Sequence, residues 1–147
     1  MKILFVCSGN TCRSPMAQII FTNIAKRNSH KGVVVRSAGV ATSDGIPMMP
    51  TAIEALIECG EKLGRKNIVS TRFSYDMLKK YDHIVTMTEG HARSIGDYAN
   101  VYSLGNAIGA GDVNDPFMQG REVYEETCKE LQEALEALYI KIAGGVG

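Results

Sequence analysis

The sequence predicts an α/β fold built on an open, parallel, twisted sheet with helices on both faces. Three observations carry this. Short apolar runs such as Ile3-Leu4-Phe5-Val6 lack polar alternation, which suits strands buried on both faces. Segments of helical period lie between consecutive runs, so each strand returns to the next by a crossover. The composition over 147 residues, 45% hydrophobic and 22% charged, supports one core without disulfide staples. One domain over 1–147 is expected, with no repeat, linker or low-complexity segment.

Ile3 to Val6 reads as a central strand ending in a glycine-containing turn. Ser14-Pro15 then opens a helix, since a serine accepts from orphan amides and a proline has its φ already set for a first turn. Met16, Ile19, Ile20 and Ile24 form its buried side. Val33 to Val35 is a second strand. Pro50 opens a helix with Ala52, Ile53, Leu56 and Ile57 at helical spacing, and Gly60 stops it. Lys66 to Val69 reads as a short strand, Ser74 as the cap of a short helix reaching Lys80, and His83 to Met87 as a further strand. Thr88 caps a helix running toward Tyr98. After the Val101–Leu104 strand, the Gly, Asn and Asp content of 105–120 predicts a loop. A final helix carries Val123, Tyr124, Thr127, Leu131, Leu135 and Leu138 on one face.

Sixteen basic against sixteen acidic residues leave no net charge. No overall basic field exists to hold nucleic acid or an acidic membrane. The apolar stretch from Ile3 to Cys7 is too short for a membrane span or a secretory core, so the chain reads as cytoplasmic. Cys7, Cys12, Cys59 and Cys128 are scattered, and no Cys-x-x-Cys or His/Cys cluster offers a metal cage. No metal or cofactor is expected.

Ligands in such sheets bind beyond the carboxyl ends of the strands, near the point where strand order reverses, which puts the site at the loop after Cys7. The segment Cys7-Ser8-Gly9-Asn10-Thr11-Cys12-Arg13-Ser14-Pro15 sets a thiol and a guanidinium six positions apart on a strand-to-helix turn. A loop of this length can aim successive amides at one tetrahedral anion, at the positive end of the following helix. Arg13 adds a planar fork that matches two phosphate oxygens. The same positive surroundings favour the thiolate of Cys7, which would attack phosphorus and form phosphocysteine. Ser14 can hydrogen-bond the thiolate, and Asn10 tolerates a left-handed backbone. Asp115, fixed beside Pro116, is the candidate general acid that protonates the leaving group and later takes a proton from water. The bland alternatives are a buried cysteine before an ordinary turn and an Asp-Pro that is only a turn.

Val6 to Ala17, Ser37-Ala38-Gly39 and Asp115-Pro116-Phe117 together resemble the low-molecular-weight protein-tyrosine-phosphatase family, over the whole chain. The resemblance implies a four-stranded parallel sheet flanked by helices, and a metal-free, cofactor-free hydrolase of phosphorylated proteins. It makes Cys7 the nucleophile, Arg13 the clamp and Asp115 the acid. Ser8, Gly9, Asn10, Thr11, Cys12, Ser14 and Phe117 are then substrate-binding positions, and Asn10, Ser14 and Ser37 support the loop. Cys12 matches a second cysteine that in relatives traps an oxidised nucleophile as a disulfide. Ile68 stands where many relatives have a histidine, so part of the support behind the loop is expected to be missing or replaced.

One branch of the family acts on phosphoarginine. Tyrosine-directed members carry a bulky aliphatic residue at the loop position where this chain has Thr11, as the arginine phosphatases do. A hydroxyl there can position a guanidinium. Phosphoarginine is therefore expected ahead of phosphotyrosine, with Phe117 able to stack on either leaving group. Arsenate reductase is more remote, because it needs a further closely spaced cysteine pair, which Cys59 and Cys128 do not provide. A phosphocarrier would lack both clamp and acid. His30, His83 and His91 read as surface or strand-edge residues, Cys59 and Cys128 as small core hydrophobes, and Tyr124 as core or cleft wall. The segment 105–111 reads as a mobile loop beside the cleft. The partner is a phosphorylated protein, with neither nucleic acid nor membrane, and a monomer is expected.

Overall fold

A computed structural model describes residues 1–64 and 67–144. In chain order they form β1 (Lys2–Cys7), α1 (Arg13–Arg27), β2 (Val34–Gly39), α2 (Pro50–Glu58), α3 (Met77–Lys80), β3 (His83–Thr86), α4 (Glu89–Ile95), β4 (Val101–Ser103), α5 (Leu104–Ile108) and α6 (Arg121–Ala143). The four strands pair in parallel in the order β2-β1-β3-β4. This is the expected sheet, and the order reverses at β1, whose carboxyl end is Cys7.

Side chains alternate across a strand, so β1 feeds two cores. Ile3 and Phe5 face α1, α2 and α6, among Met16, Phe21, Leu56, Leu131 and Leu135. Leu4 and Val6 join Ala38, Ile84 and Ile95 on the other face, beneath Phe73 and Met77. Ile3, Leu4, Phe5 and Val6 are at most 1% exposed. Each such side chain contributes about 1.5–3 kcal/mol over its exposed form, which anchors the strand whose end carries Cys7.

Several local expectations are corrected. Ser14 does not cap α1: Arg13 already lies in the helix, Cys12 is its N-cap with no side-chain cap bond, and the Ser14 hydroxyl turns inward. Pro15 sits in the first turn, where its missing N–H costs nothing. No strand runs over the described part of 66–69, where Val69 makes a single antiparallel bridge to Pro47; Lys66 lies outside the described residues. Ser74 hydrogen-bonds Asp76, and Asp76, not Ser74, precedes α3. Thr88 does cap its helix, accepting from His91 N at 3.1 Å, but Gly96 at φ 126° ends it short of Tyr98. Residues 104–108 form a helix where a loop was expected. Ser103 caps it by accepting from Asn106 N, and left-handed Gly109 closes it, so the glycines mark a helix end.

Candidate active site

The β1–α1 loop curls over the end of the sheet and places Cys7 at the floor of a cleft. Cys7 is 3% exposed. Its Sγ accepts from the Asn10 amide at 3.3 Å and lies 2.9 Å from Ser14 Oγ. Asn10 holds a left-handed backbone, φ 56°, which brings its amide back onto the sulfur. Its side chain fixes the proton order. Asn10 Oδ1 accepts from Thr71 N at 2.8 Å, so Nδ2 is the end that donates to Ser14 Oγ, at 2.7 Å. Ser14 then has one proton to give. Cys7 Sγ is closer than its other acceptor, Ala38 O at 3.4 Å, so the hydroxyl is placed to donate to the sulfur.

Gly39 explains why β2 ends as it does. A Cβ there would meet Ser8 O at 2.5 Å and Asn10 Cβ at 3.0 Å. The bare backbone lets Val40 N reach Cys7 O at 2.9 Å and Ala41 N reach Ser8 O at 3.0 Å. Ser37, expected to support the loop, instead donates to Gln18 Oε1 at 2.7 Å. Ile68 packs on the larger core. Behind the loop, Asn10 Oδ1 is held by the Thr71 backbone N–H at 2.8 Å, a contact that needs no particular side chain.

Arg13 is 5% exposed, and its two terminal nitrogens are divided between two partners. Nη1 donates to Val113 O at 3.1 Å, and Nη2 lies 3.5 Å from Asp115 Oδ2. The segment that carries both partners is itself fastened to the sheet, since Val113 N donates to Met87 O at 3.0 Å and Asp112 Oδ1 accepts from Glu89 N at 3.0 Å. Asp115 is half-exposed at the rim. It also accepts from Phe117 N at 3.1 Å, so Pro116 and Phe117 fold around it as a short turn. Residues 7–13, Asp115 and Phe117 line one cleft of about 370 Å³ together with Ala41, Thr42 and Ile46. Ser14 alone of the expected site residues lies behind its wall.

Two further residues belong to the site. His91 Nε2 is 2.8 Å from Ser8 Oγ, and its Nδ1 is buried with no partner among the described residues. Burial, and then the Arg13 charge, hold His91 below the usual histidine range, so it is neutral at pH 7. The expectation of a surface histidine fails for His91 but describes His30 and His83 better, which are half-buried against Tyr139 and Tyr102. Tyr124 is buried, with its hydroxyl 3.4 Å from Cys12 Sγ. Burial raises the Cys12 thiol above its ordinary value, so it stays protonated beside Cys7. Among the described residues no group of three or more His, Cys, Asp or Glu side chains gathers as for a metal ion.

The model of the low molecular weight phosphotyrosine protein phosphatase family matches residues 2–145. The chain belongs to that family. It is 40% identical to a protein-arginine-phosphatase of Bacillus subtilis over 94% of each chain. Its fold matches a YwlE arginine phosphatase, a C7S mutant with a phosphorylated active-site serine, at TM-score 0.87 and 38% identity, covering 97% of this chain and 96% of that one. It matches a low molecular weight protein tyrosine phosphatase from T. tengcongensis equally well, at TM-score 0.87 and 35% identity over 97% and 99%. No helix of the described residues is long and apolar enough to cross a membrane.

Proposed function

We propose that the chain is a cysteine-dependent protein phosphatase that acts on phosphoarginine. The observation that carries the chemistry is Cys7 Sγ between two donors, Asn10 N–H and Ser14 O–H, on the floor of a cleft whose wall holds Arg13 and Asp115. The loop amides and Arg13 take the three non-bridging oxygens, and the sulfur lies in line behind phosphorus. Cys7 attacks as thiolate, the P–N bond breaks, and protonated Asp115 gives its proton to the departing guanidine nitrogen. Water then attacks phosphocysteine as Asp115 takes a proton back, releasing orthophosphate and restoring the thiolate, which Ser14 stabilises as leaving group. On entry of phosphate, Arg13 exchanges its contact with half-exposed Asp115 for the phosphate oxygens, which frees the carboxyl for proton transfer.

Thr11 on the cleft wall supports the arginine preference, because its hydroxyl gives a guanidinium a partner where an aliphatic chain would strip its water. The relative that is 40% identical and named a protein-arginine-phosphatase supports the same reading. Phosphotyrosine is the second reading, supported by a relative 32% identical and named a low molecular weight protein-tyrosine-phosphatase; Phe117, 49% exposed at the rim, can stack on either leaving group. Comparison of kcat/KM on phosphoarginine and phosphotyrosine peptides decides between them. The arginine peptide should be preferred, and Thr11→Ile should move the ratio toward tyrosine by about tenfold or more. A tyrosine preference in the parent enzyme would reverse the assignment.

A further inference from the structure

Two thiols that this reaction does not use lie where the far end of α2 packs on α6. Cys59 caps that helix, with its amide bonded to Ala55 O at 2.9 Å. It rests on one stretch of α6: its thiol lies 3.9 Å from Glu125 O, and its carbonyl accepts from Gln132 Nε2 at 3.1 Å. Positions 125, 128 and 132 follow one helix face at steps of three and four, so Cys128 is the residue of that face level with Cys59. Fully buried Cys128 belongs to the core against which Cys59 packs, one turn along α6 from the Glu125 carbonyl that the Cys59 thiol approaches, and Cys59 is partly open to solvent. The sequence separates these residues widely; the packing of α2 on α6 brings them together.

We propose that Cys59 and Cys128 form a second oxidisable dithiol, separate from Cys7 and Cys12, which a peroxide closes into an intramolecular disulfide between α2 and α6. Burial and the neighbouring thiol raise Cys128, keeping it protonated, and so direct the first oxidation to the accessible Cys59. The Cys59 thiolate attacks one peroxide oxygen, the O–O bond breaks, and the departing hydroxide takes up a proton and leaves as water. Cys128 sulfur then attacks the sulfenic sulfur. The S–S bond forms, the S–O bond breaks, and the hydroxyl leaves with the Cys128 proton as a second water. Two thiols are oxidised by two electrons, and one peroxide is reduced to two waters.

The bond forms away from catalysis. The opposite end of α2 meets the phosphate loop, where Met49 N donates to Thr11 O at 3.0 Å, and nine helical residues, about 13 Å, separate the two ends. This distance also keeps the pair from relaying electrons to Cys7, so its closeness does not revive an arsenate reductase reading. Joining α2 to α6 closes a long loop, restricts the unfolded chain and raises the melting temperature.

The test treats wild type and Cys7→Ser with hydrogen peroxide, blocks remaining thiols with iodoacetamide, maps the peptides by mass and records melting with and without dithiothreitol. The proposal expects a peptide pair joining Cys59 to Cys128 within one monomer in both proteins. It also expects a melting temperature on the order of 5–10 °C higher in oxidised Cys7→Ser, reversed by dithiothreitol and absent from Cys7→Ser/Cys59→Ser. Cys59 found alkylated, taken to the sulfinic acid, or joined to Cys12 or to another chain would overturn it. The wild-type map decides even where a variant fails to fold, and it is read without any phosphatase assay.

Discussion

The Ser14 hydroxyl has a single proton, and the amide of Asn10 dictates where it goes. Removing either group should therefore slow chemistry more than it weakens phosphate binding. Ser14→Ala is expected to lower kcat by about tenfold to a hundredfold while the Kd for orthophosphate stays within a factor of about three, measured by steady-state kinetics and calorimetry. An equal loss in both would make Ser14 a binding group. Asp115→Asn should lower kcat/KM by about 10²–10⁴ on substrates with poor leaving groups and by far less on an activated aryl phosphate, since only the former need the proton. Equal loss on both would make Asp115 structural. Cys7, Asn10, Arg13 and Ser14 were readable in the sequence because Cys7 to Ser14 is one contiguous turn whose chemistry is set by spacing, whereas Asp115 was read from Asp-Pro and the family resemblance. His91 and Thr71 were not. They arrive from α4 and from the segment before α3, and Thr71 acts through its backbone, which leaves no mark on residue type. Ser14 was given two bonds, and only the one to the Cys7 sulfur is made; the helix cap is not, because the hydroxyl turns inward.

Backbone closeness governs the elements around the site. The end of β2 lies on the phosphate loop only because Gly39 has no side chain. Gly39→Ala forces Ser8 O or the strand itself to move, with an expected cost of about 1–3 kcal/mol in urea unfolding and a larger proportional loss of kcat/KM. Unchanged activity would mean that the loop tolerates displacement. Thr88→Ala should cost about 1 kcal/mol and loosen the first turn of α4, which carries His91 to Ser8. The four strands were legible from short apolar runs, most clearly the central β1 and β3, which are buried on both faces. The α5 helix was not, because its Gly105 and Gly109 look like loop residues until packing shows the first pressed against Ala110 O and Gly111 O. The stretch after α2 also misled: Ile68 and Val69 have strand composition, but Val69 makes a single bridge to Pro47, and the edge strand β2 is met only by Arg72 at Gly39.

At the scale of the whole molecule, the sheet order puts the proposed catalytic turn at the point of strand reversal, and the two flanking cores hold it there. Proton uptake links this frame to pH. His91 and His83 both lie below their ordinary values through burial, so between the folded and unfolded values the unfolded chain binds protons that the native chain does not. Their contribution to stability is complete above the ordinary histidine value, about 6.5, and is lost as pH falls from there through their lower values in the folded chain. Melting temperature should decline on going from about pH 7.5 to pH 5.5, and His91→Gln should flatten part of that decline; an identical slope in the variant would place the proton uptake elsewhere. The most direct test of the account is rapid acid quenching of turnover followed by peptide mass analysis. It predicts one phosphoryl group on Cys7, accumulating further in Asp115→Asn with an activated aryl phosphate, and no turnover in Cys7→Ser. A quenched enzyme free of phosphate at Cys7 in both proteins, or a Cys7→Ser variant that turns over at the parent rate, would contradict it.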